Sequence, residues 1–339
     1  MYYTTLASGA LAVWRAIESY GLDAEALFKE AGLDPEKLYK PNARYKDTNL
    51  YHLWKLAVNR TGDPGFGLTV AQSWHPTNAH ALGFSWLAST TLMEALQRLE
   101  RYIRVLSDKS NVSVQIIGSE VKFTLINPIT TCPSADEHND ANLALVVKLC
   151  RTSFGEEFNP IKVTMMRPTP GEVEPYEKCF RVPIEYASAE NSIYFHKSDL
   201  EKELPTANTQ LALENDKIVA DYLSRYHRSN LSLQVRYKII EQLASGKVSQ
   251  ESVAEALVTS LRNLQRNLKK EGASYKELLE DVRRELAAHY MEQSEMSINE
   301  ITFLLGFSEP ANFSRAFKRW TGVCPSEFRT PHTQIPRTV

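Results

Sequence analysis

The chain has 339 residues, which is too long for one helical domain and indicates two. Its formal net charge of −2 disfavours a polycationic nucleoid protein that would coat DNA uniformly. No apolar stretch approaches the length of a membrane span, and Met1 is not followed by a basic region and a long apolar run. The sequence therefore predicts a cytoplasmic protein without a signal peptide and without a membrane partner.

The first half of the chain predicts helices followed by strands. Apolar residues at helical spacing predict helices over residues 11–28, 47–59, with Asp47 or Thr48 as the N-cap, and 92–103. On either side of Gly118 the apolar residues instead recur at every second position, which predicts a β-hairpin.

Further elements continue this region. A helix is predicted over 141–154 and strands over 161–165, 182–186 and 192–195. Helices and strands in this order predict an α+β domain with an antiparallel sheet.

A group of aromatic and imidazole side chains falls between the predicted helices of this domain. Its members are Trp74, His75, His80, Phe84 and Trp86. This composition is compatible with an aromatic-lined site for a small molecule, although ordinary core and loop packing explains it as well. The two histidines have no further ligand types nearby, so no metal site is predicted.

Catalysis has no candidate residues in this sequence. No nucleophile elbow, phosphate loop or dinucleotide fingerprint is present. The sequence therefore predicts that the protein is not an enzyme and has no cofactor. Asp136, Glu137 and His138 are interpreted as a solvated helix start. The four cysteines include no Cys-x-x-Cys pair, which argues against a zinc cluster or a disulfide framework.

A connecting segment follows Pro205. Residues 210–226 predict a helix that serves as a linker or as half of a dimer contact, and residues 226–230 are the predicted hinge. The predicted domains are an effector-binding or dimerisation domain (1–205), a linker helix and hinge (206–230), an all-α DNA-binding domain (231–332) and a tail (333–339).

A first helix-turn-helix unit is predicted between Ser249 and Lys270. A short helix leads to a turn at Val258 and Thr259, and Ser260 caps a second helix whose buried side consists of leucines. No acid lies between Ser260 and Lys270. The outer face of the second helix carries Arg262, Gln265, Arg266 and Lys269.

A second unit of the same kind is predicted between Ser297 and Arg329. Ser297 caps its first helix, Gly306 makes a tight turn, and Pro310 occupies the first turn of its second helix. Gly322 ends that helix. The outer face carries Ala311, Ser314, Arg315, Lys318 and Arg319.

These outer faces predict binding to double-stranded DNA. Arginine can bond guanine bidentately in the major groove, while neighbouring cations hold phosphates. The net charge of each part of the chain is small. Residues 229–339 contain 15 Lys and Arg against 13 Asp and Glu, and the preceding residues contain 24 against 28. The cationic bias is therefore concentrated on the two helices.

The two units are joined by a predicted helix over 274–291. Eighteen residues give roughly 27 Å of helix, which can hold two recognition helices about one DNA turn, roughly 34 Å, apart. Each chain would then read an asymmetric site of about 16 to 20 base pairs. Arg283 and Arg284 on this helix are candidates for phosphate contact, but the surrounding Glu280, Asp281 and Glu285 favour a solvated ion-pair face.

The C-terminal sequence, over roughly 231–329, resembles the signature of the AraC/XylS transcriptional regulators. The matching residues are Ile298, Ile301, Gly306, Phe307, Ser308, Phe313, Ser314, Arg315, Phe317, Lys318, Arg319, Gly322, Pro325, Ser326, Phe328 and Arg329. Thr302 departs from the alanine usual in the family, and its hydroxyl is expected to bond back to a helix carbonyl. Cys324 stands where the family usually has serine or threonine.

Residues 22–200 more loosely resemble the arabinose-binding-like effector domain of a subgroup of these regulators. Matching phrases are Gly32-Leu-Asp-Pro, Thr61-Gly-Asp-Pro and Ser89-Thr-Thr-Leu. The resemblance implies a transcription activator, RNA polymerase as a partner, and an N-terminal domain that senses a small molecule or mediates homodimer formation. The alternative is an enzyme with a DNA-targeting C-terminal domain.

Overall fold

The computed structural model of the protein describes residues 3–126, 135–243, 248–292 and 296–329. The chain divides into an N-terminal unit, Tyr3–Ser224, and a C-terminal unit that begins at Arg225. Cys132 and the predicted tail lie outside the described residues. Within those residues, no helix combines the length and apolarity that a membrane crossing requires.

The N-terminal unit is an α+β domain, as predicted. Its helices are α1 (Leu11–Ser19), α2 (Ala24–Glu30), α3 (Asp47–Thr61), α4 (Phe66–Ser73), α5 (His80–Leu87), α6 (Leu92–Tyr102), α7 (Ala135–Phe154), α8 (Glu174–Phe180), α9 (Lys197–Leu200) and α10 (Thr209–Ser229). Short 3-10 turns cover Ala7–Ala10, Pro35–Tyr39, Pro76–Ala79 and Ile103–Val105. Its strands are β1 (Thr4–Leu6), β2 (Arg44–Lys46), β3 (Asn111–Ile117), β4 (Glu120–Ile126), β5 (Lys162–Thr164), β6 (Ile184–Glu185) and β7 (Asn191–His196).

The strands form two sheets. β1 and β2 pair antiparallel, while the larger sheet has the order β3-β4-β7-β5-β6. The predicted hairpin is confirmed, with Val114 opposite Phe123 and Gly118 in the left-handed region at φ +61°. The prediction of a wholly antiparallel sheet is wrong, because β5 and β6 run parallel. Helix α8 lies between them in sequence and supplies the crossover that a parallel pair needs.

Several predicted helix boundaries differ from the structure. The helix expected over 11–28 is two helices, α1 and α2, separated where Gly21 adopts φ +71°. Lys46 is the N-cap of α3, so neither Asp47 nor Thr48 caps it. Asp47 is instead the first helical residue, and its carboxylate accepts a hydrogen bond from Thr5 Oγ1 at 2.8 Å. The sequence patterns also missed α4, α5, α8, β1 and β2.

Helix α10 extends further than its sequence pattern indicated. It remains helical to Ser229, so most of the segment interpreted as a hinge continues the helix. Asn230 follows, and its Oδ1 accepts the Leu233 amide hydrogen at 3.0 Å, as an N-cap does for the next helix.

The C-terminal unit is all-helical in its described residues. Its helices are α11 (Leu231–Leu243), α12 (Gln250–Ala256), α13 (Leu261–Lys270), α14 (Tyr275–Glu292), α15 (Ile298–Leu304), α16 (Pro310–Thr321) and α17 (Pro325–Arg329). One continuous apolar core joins them, and α14 contributes to it through Leu278, Val282, Ala287 and Met291. The predicted pair of helix-turn-helix units joined by a long helix is confirmed.

Helices α4 and α7 approach each other closely in the N-terminal unit because Gly67 has no side chain. A Cβ atom added there would lie 2.1 Å from the Glu137 carbonyl oxygen and 3.1 Å from the Ala141 amide nitrogen. Both neighbours are backbone atoms of α7, so they cannot rotate away. The spacing of these two helices therefore depends on this glycine.

We expect Gly67→Ala to destabilise the N-terminal unit by about 1–3 kcal/mol, because the added methyl group forces α4 and α7 apart. Denaturant unfolding followed by tryptophan fluorescence measures this unit, since four of the five tryptophans lie in it. The matched control is Gly171→Ala, where an added Cβ meets nothing within 4 Å. A gain of about 1 kcal/mol at Gly67, the ordinary helix-propensity effect, would contradict the close contact.

Candidate nucleic-acid interface and effector cavity

The first helix-turn-helix unit consists of α12 and α13. Ser249 caps α12 by accepting the Ser252 amide hydrogen, and Ser260 caps α13 by accepting that of Asn263, as the sequence predicted for Ser260. Between the helices Val258 adopts φ +52° with 95% of its surface exposed. A β-branched residue in this conformation is strained, so the turn is held by its flanking helices.

The second unit consists of α15 and α16 and follows the sequence expectation closely. Ser297 caps α15 in a capping box with Glu300, and Gly306 turns at φ +64°. Pro310 begins α16, and Gly322 ends it at φ +86°. The Thr302 hydroxyl donates to the Ile298 carbonyl at 2.8 Å, which confirms that this departure from the family pattern is accommodated.

Arg283 on α14 holds the turn of the second unit in place. Its guanidinium donates to the Leu305 carbonyl at 2.8 Å and to the Gly306 carbonyl at 2.7 Å, and it lies 4.3 Å from the Phe307 ring centroid. These carbonyls end α15 and have no partner within that helix. The interpretation of Arg283 as part of a solvated face is therefore wrong, whereas Arg284 does pair with Asp281 at 2.7 Å.

Two further polar contacts tie α14 to neighbouring helices. Glu285 forms an ion pair with Arg236 of α11, and both side chains are mostly buried. Glu280 accepts hydrogen bonds from Arg319 at 2.7 Å and from the Trp320 indole at 3.0 Å. The connecting helix therefore fixes α11 and α16 through directed bonds as well as through the core.

The predicted DNA-binding side chains of the first unit are exposed. Within the described residues, Arg262, Arg266 and Lys269 have no hydrogen bond or ion pair through their side chains, and Gln265 contacts Gln250 at 3.2 Å. Leu264 and Leu268 point to the core. Helix α13 therefore presents uncompensated positive charge on one face.

The predicted side chains of the second unit are placed less uniformly. Ala311, Arg315 and Lys318 are exposed, and Ser314 is half-buried. Arg315 donates to Asn312 Oδ1 at 2.7 Å along its own helix. Arg319 is exposed but is held by Glu280.

The N-terminal unit encloses a cavity of about 180 Å³ between its first turns, α3, α4 and α7. A second cavity of about 80 Å³ shares part of its wall, including Trp74, Ile103 and Leu145. Lys148 on α7 donates to the Trp74 carbonyl at 2.7 Å and to two neighbouring carbonyls, which caps the end of α4. This contact fixes Trp74 at the junction of the two cavities.

Polar groups line one part of the larger cavity. They are Asp47, Tyr51, Asn78, Ser107, Lys109, Ser110, His138, Asn139 and Asn142. Burial raises the pKa of the Asp47 carboxyl to about 6, and burial lowers the pKa of His138 to about 4. His138 also packs 5.3 Å from the Trp54 ring centroid. The interpretation of His138 as part of a solvated helix start is therefore wrong.

The five predicted effector residues do not come together. Trp74 lines both cavities and Trp86 lines the smaller one. His75 caps a short turn through Thr77, His80 packs 4.9 Å from the Tyr222 ring centroid, and Phe84 is 46% exposed. The polar lining of the larger cavity comes from residues far apart in sequence that no local pattern could connect. No group of three or more potential metal ligands occurs in the described part of the chain.

This combination defines a class of protein: a DNA-binding module with two helix-turn-helix units, attached to an α+β unit that contains a cavity. The profile described as the arabinose-binding domain of AraC transcription regulators, N-terminal, matches residues 21–204, and a helix-turn-helix profile matches residues 253–331. The chain therefore belongs to the AraC family. It is a DNA-binding transcription regulator, and its family and relatives are not enzymes.

The chain is similar in sequence to known transcription regulators. The chain is 26% identical over 323 residues to the ornithine utilization regulator of Pseudomonas aeruginosa, covering 92% of each chain. It is 35% identical over 112 residues to the urease operon transcriptional activator of Escherichia coli, covering 33% of this chain and 38% of that protein. The crystal structure of the transcriptional regulator CdpR from P. aeruginosa aligns with 94% of this chain and 98% of its own at 22% identity, with a TM-score of 0.44.

We expect Arg283→Met to weaken binding to the operator about tenfold, because the turn before α16 loses two hydrogen bonds while every exposed cation of α13 and α16 remains. Titration of the purified full chain on an operator selected from a random DNA library measures this. Arg284→Met removes a cation from the same helix and is the matched control. Equal losses for the two variants would show that Arg283 acts only through its charge.

Proposed function

We propose that this protein is a transcription activator that reads an asymmetric operator with α13 and α16 and is controlled by a small molecule bound in the N-terminal cavity. The observation that carries the DNA-reading part is the outer face of α13. Three exposed cations lie there without a described protein partner, on a helix whose opposite side is buried. Phosphates and guanine edges supply the partners that such a face lacks.

We assign the base-reading positions of the first unit to Arg262, Gln265 and Arg266, and phosphate contact to Lys269. Arginine pairs with guanine O6 and N7, and glutamine pairs with adenine N6 and N7. Because the helix repeats every 3.6 residues, positions 262, 265, 266 and 269 share one face. Together they cover several successive base pairs.

We assign fewer base contacts to the second unit. Arg315 is its one long exposed donor near the start of α16, Ala311 offers apolar contact to a thymine methyl group, and Ser314 contributes a short hydroxyl. Lys318 and Arg319 are assigned to phosphates, with Arg319 kept in place by Glu280. The two half-sites should therefore differ in how strictly their sequence is read.

Control by a small molecule is supported by the cavity and by the helix that follows it. Asp216 on α10 accepts hydrogen bonds from Arg98 at 3.1 Å and from Ser85, and Tyr222 accepts one from Arg44 at 3.2 Å. These bonds anchor α10 within the N-terminal unit at Asp216 and Tyr222. The same helix continues to Ser229, next to the DNA-binding helices in sequence.

We also propose the remaining family features for this chain. Activation implies contact with RNA polymerase, and binding to chromosomal DNA implies a cytoplasmic location. We propose a homodimer that pairs α10 with its copy, since Leu211 and Ile218, seven residues apart on one helix face, are 51% and 50% exposed. We retain the domain limits 1–205, 206–230, 231–332 and 333–339.

We expect Arg266→Ala to cost about 1–3 kcal/mol on the specific operator and to relax the preference at one base pair. Lys269→Ala, on the same helix face, should weaken binding to all sequences alike and reduce the salt slope by about one. Competition titrations against operators changed one base pair at a time, at two salt concentrations, separate these effects. A uniform loss for Arg266→Ala would reassign this residue to phosphate contact.

We expect the double variant Leu211→Glu, Ile218→Glu to be monomeric at concentrations where the wild-type chain is dimeric, because four carboxylates would face each other in the pair. Sedimentation velocity of the full chain measures this. The control is a double variant on a different face of α10, Leu213→Glu with Ala220→Glu, which adds the same charges at exposed positions that are also seven residues apart. A wild-type monomer at micromolar concentration would refute the dimer.

A further inference from the structure

One residue that lines the N-terminal cavity, Asp47, is a buried carboxylate with few hydrogen bonds. Asp47 is 3% exposed and lines the cavity, and Thr5 Oγ1 donates the one hydrogen bond that its carboxylate receives among the described residues. A carboxylate has two oxygens and room for several donors. Burying a carboxylate with so few donors costs stability, and such a cost is typical of binding sites.

A base lines the same cavity. The Lys109 ammonium donates to the Tyr51 hydroxyl at 3.2 Å and lies 5.2 Å from that ring centroid. Burial raises the pKa of Asp47 and lowers that of His138, and the positive charge of Lys109 partly offsets the rise at Asp47 and adds to the fall at His138. His138 is the third titratable group there, and its low pKa leaves it neutral at pH 7. The polar part of the cavity therefore presents one negative and one positive charge.

The remaining wall is apolar and aromatic. It includes Val13, Leu50, Trp54, Val70 and Trp74. A ligand that matches this lining carries two opposite charges and an uncharged, largely apolar body.

We propose that the cavity binds a free α-amino acid with an uncharged side chain, whose ammonium group pairs with Asp47 and whose carboxylate pairs with Lys109. This inference rests on the proposed role of the N-terminal unit as the sensor. An amino acid brings an opposite charge to each of these two groups, whereas a neutral sugar brings none. A second ammonium on the ligand would find no further carboxylate, since Asp47 is the one acid among the described lining residues.

The test is the thermal unfolding midpoint of the full chain at pH 8 with each of four ligand sets at equal concentration. The sets are the twenty standard L-amino acids, their decarboxylated amines, their deaminated carboxylic acids, and L-arabinose. A ligand that binds the folded state raises the midpoint. We expect a rise with at least one amino acid that has an uncharged side chain, and none with its amine, its acid or L-arabinose.

Two variants connect that rise to the proposed residues. Asp47→Asn and Lys109→Met should each abolish it, whereas Lys46→Met, which removes an exposed lysine beside the site, should leave it unchanged. Without ligand, Asp47→Asn should have a midpoint no lower than wild type, because it removes a buried ionised carboxylate. A merely structural Asp47 would instead give an unstable variant.

Each other outcome overturns the inference. A rise with L-arabinose, or with amines or carboxylic acids alone, would leave the N-terminal sensor intact and refute the amino-acid class. No rise with any compound would refute the class and remove the support for this cavity as the sensor. A rise that survives both variants would place the ligand elsewhere. The operator titrations of Arg266→Ala judge the DNA-reading function independently of all these results.

Discussion

The C-terminal unit depends on the burial of α14 inside one apolar core that both helix-turn-helix units share. A core of leucine, valine and alanine is not directional, so it holds the helices together without setting their angles. The angles require directed bonds, which Arg283, Glu285 and Glu280 provide to three different neighbours. Burial lowers the pKa of the Arg283 guanidinium, which shows that its desolvation is unfavourable. The hydrogen bonds that it donates to two carbonyls offset this cost.

The cavity of the N-terminal unit buries titratable side chains that have few hydrogen bonds. Burial raises the pKa of Asp47 and lowers the pKa of His138, so it favours the neutral form of each side chain. For Asp47, a folded pKa of about 6 lies above the ordinary carboxyl value, so its contribution is most favourable at low pH and is lost as pH rises through 6. Ionisation of Asp47 above pH 6 therefore does not stabilise this unit, because burial disfavours the charged carboxylate.

The cavity and α10 share backbone segments. Thr5, Ser107 and Lys109 line the cavity, while their neighbours Thr4 and Asp108 bond to Arg44, which donates to Tyr222 of α10. Residues that line the cavity are therefore adjacent in sequence to the residues that hold Tyr222 of α10. Helix α10 in turn precedes the DNA-binding helices in sequence.

The sequence alone determined the elements whose information is local. Caps such as Ser260 and Ser297, the turn at Gly306 and the apolar stripes of α13, α14 and α16 depend on residues within one or two turns, so their patterns could be read directly. Tertiary structure decided what depends on distant partners: Arg283 caps the end of α15, β6 pairs parallel with β5, and the cavity wall combines Asp47 with His138. From sequence alone a charged residue is predicted to be solvated, because its partner in the folded chain is unknown. Contacts between residues that are distant in sequence leave no periodic pattern.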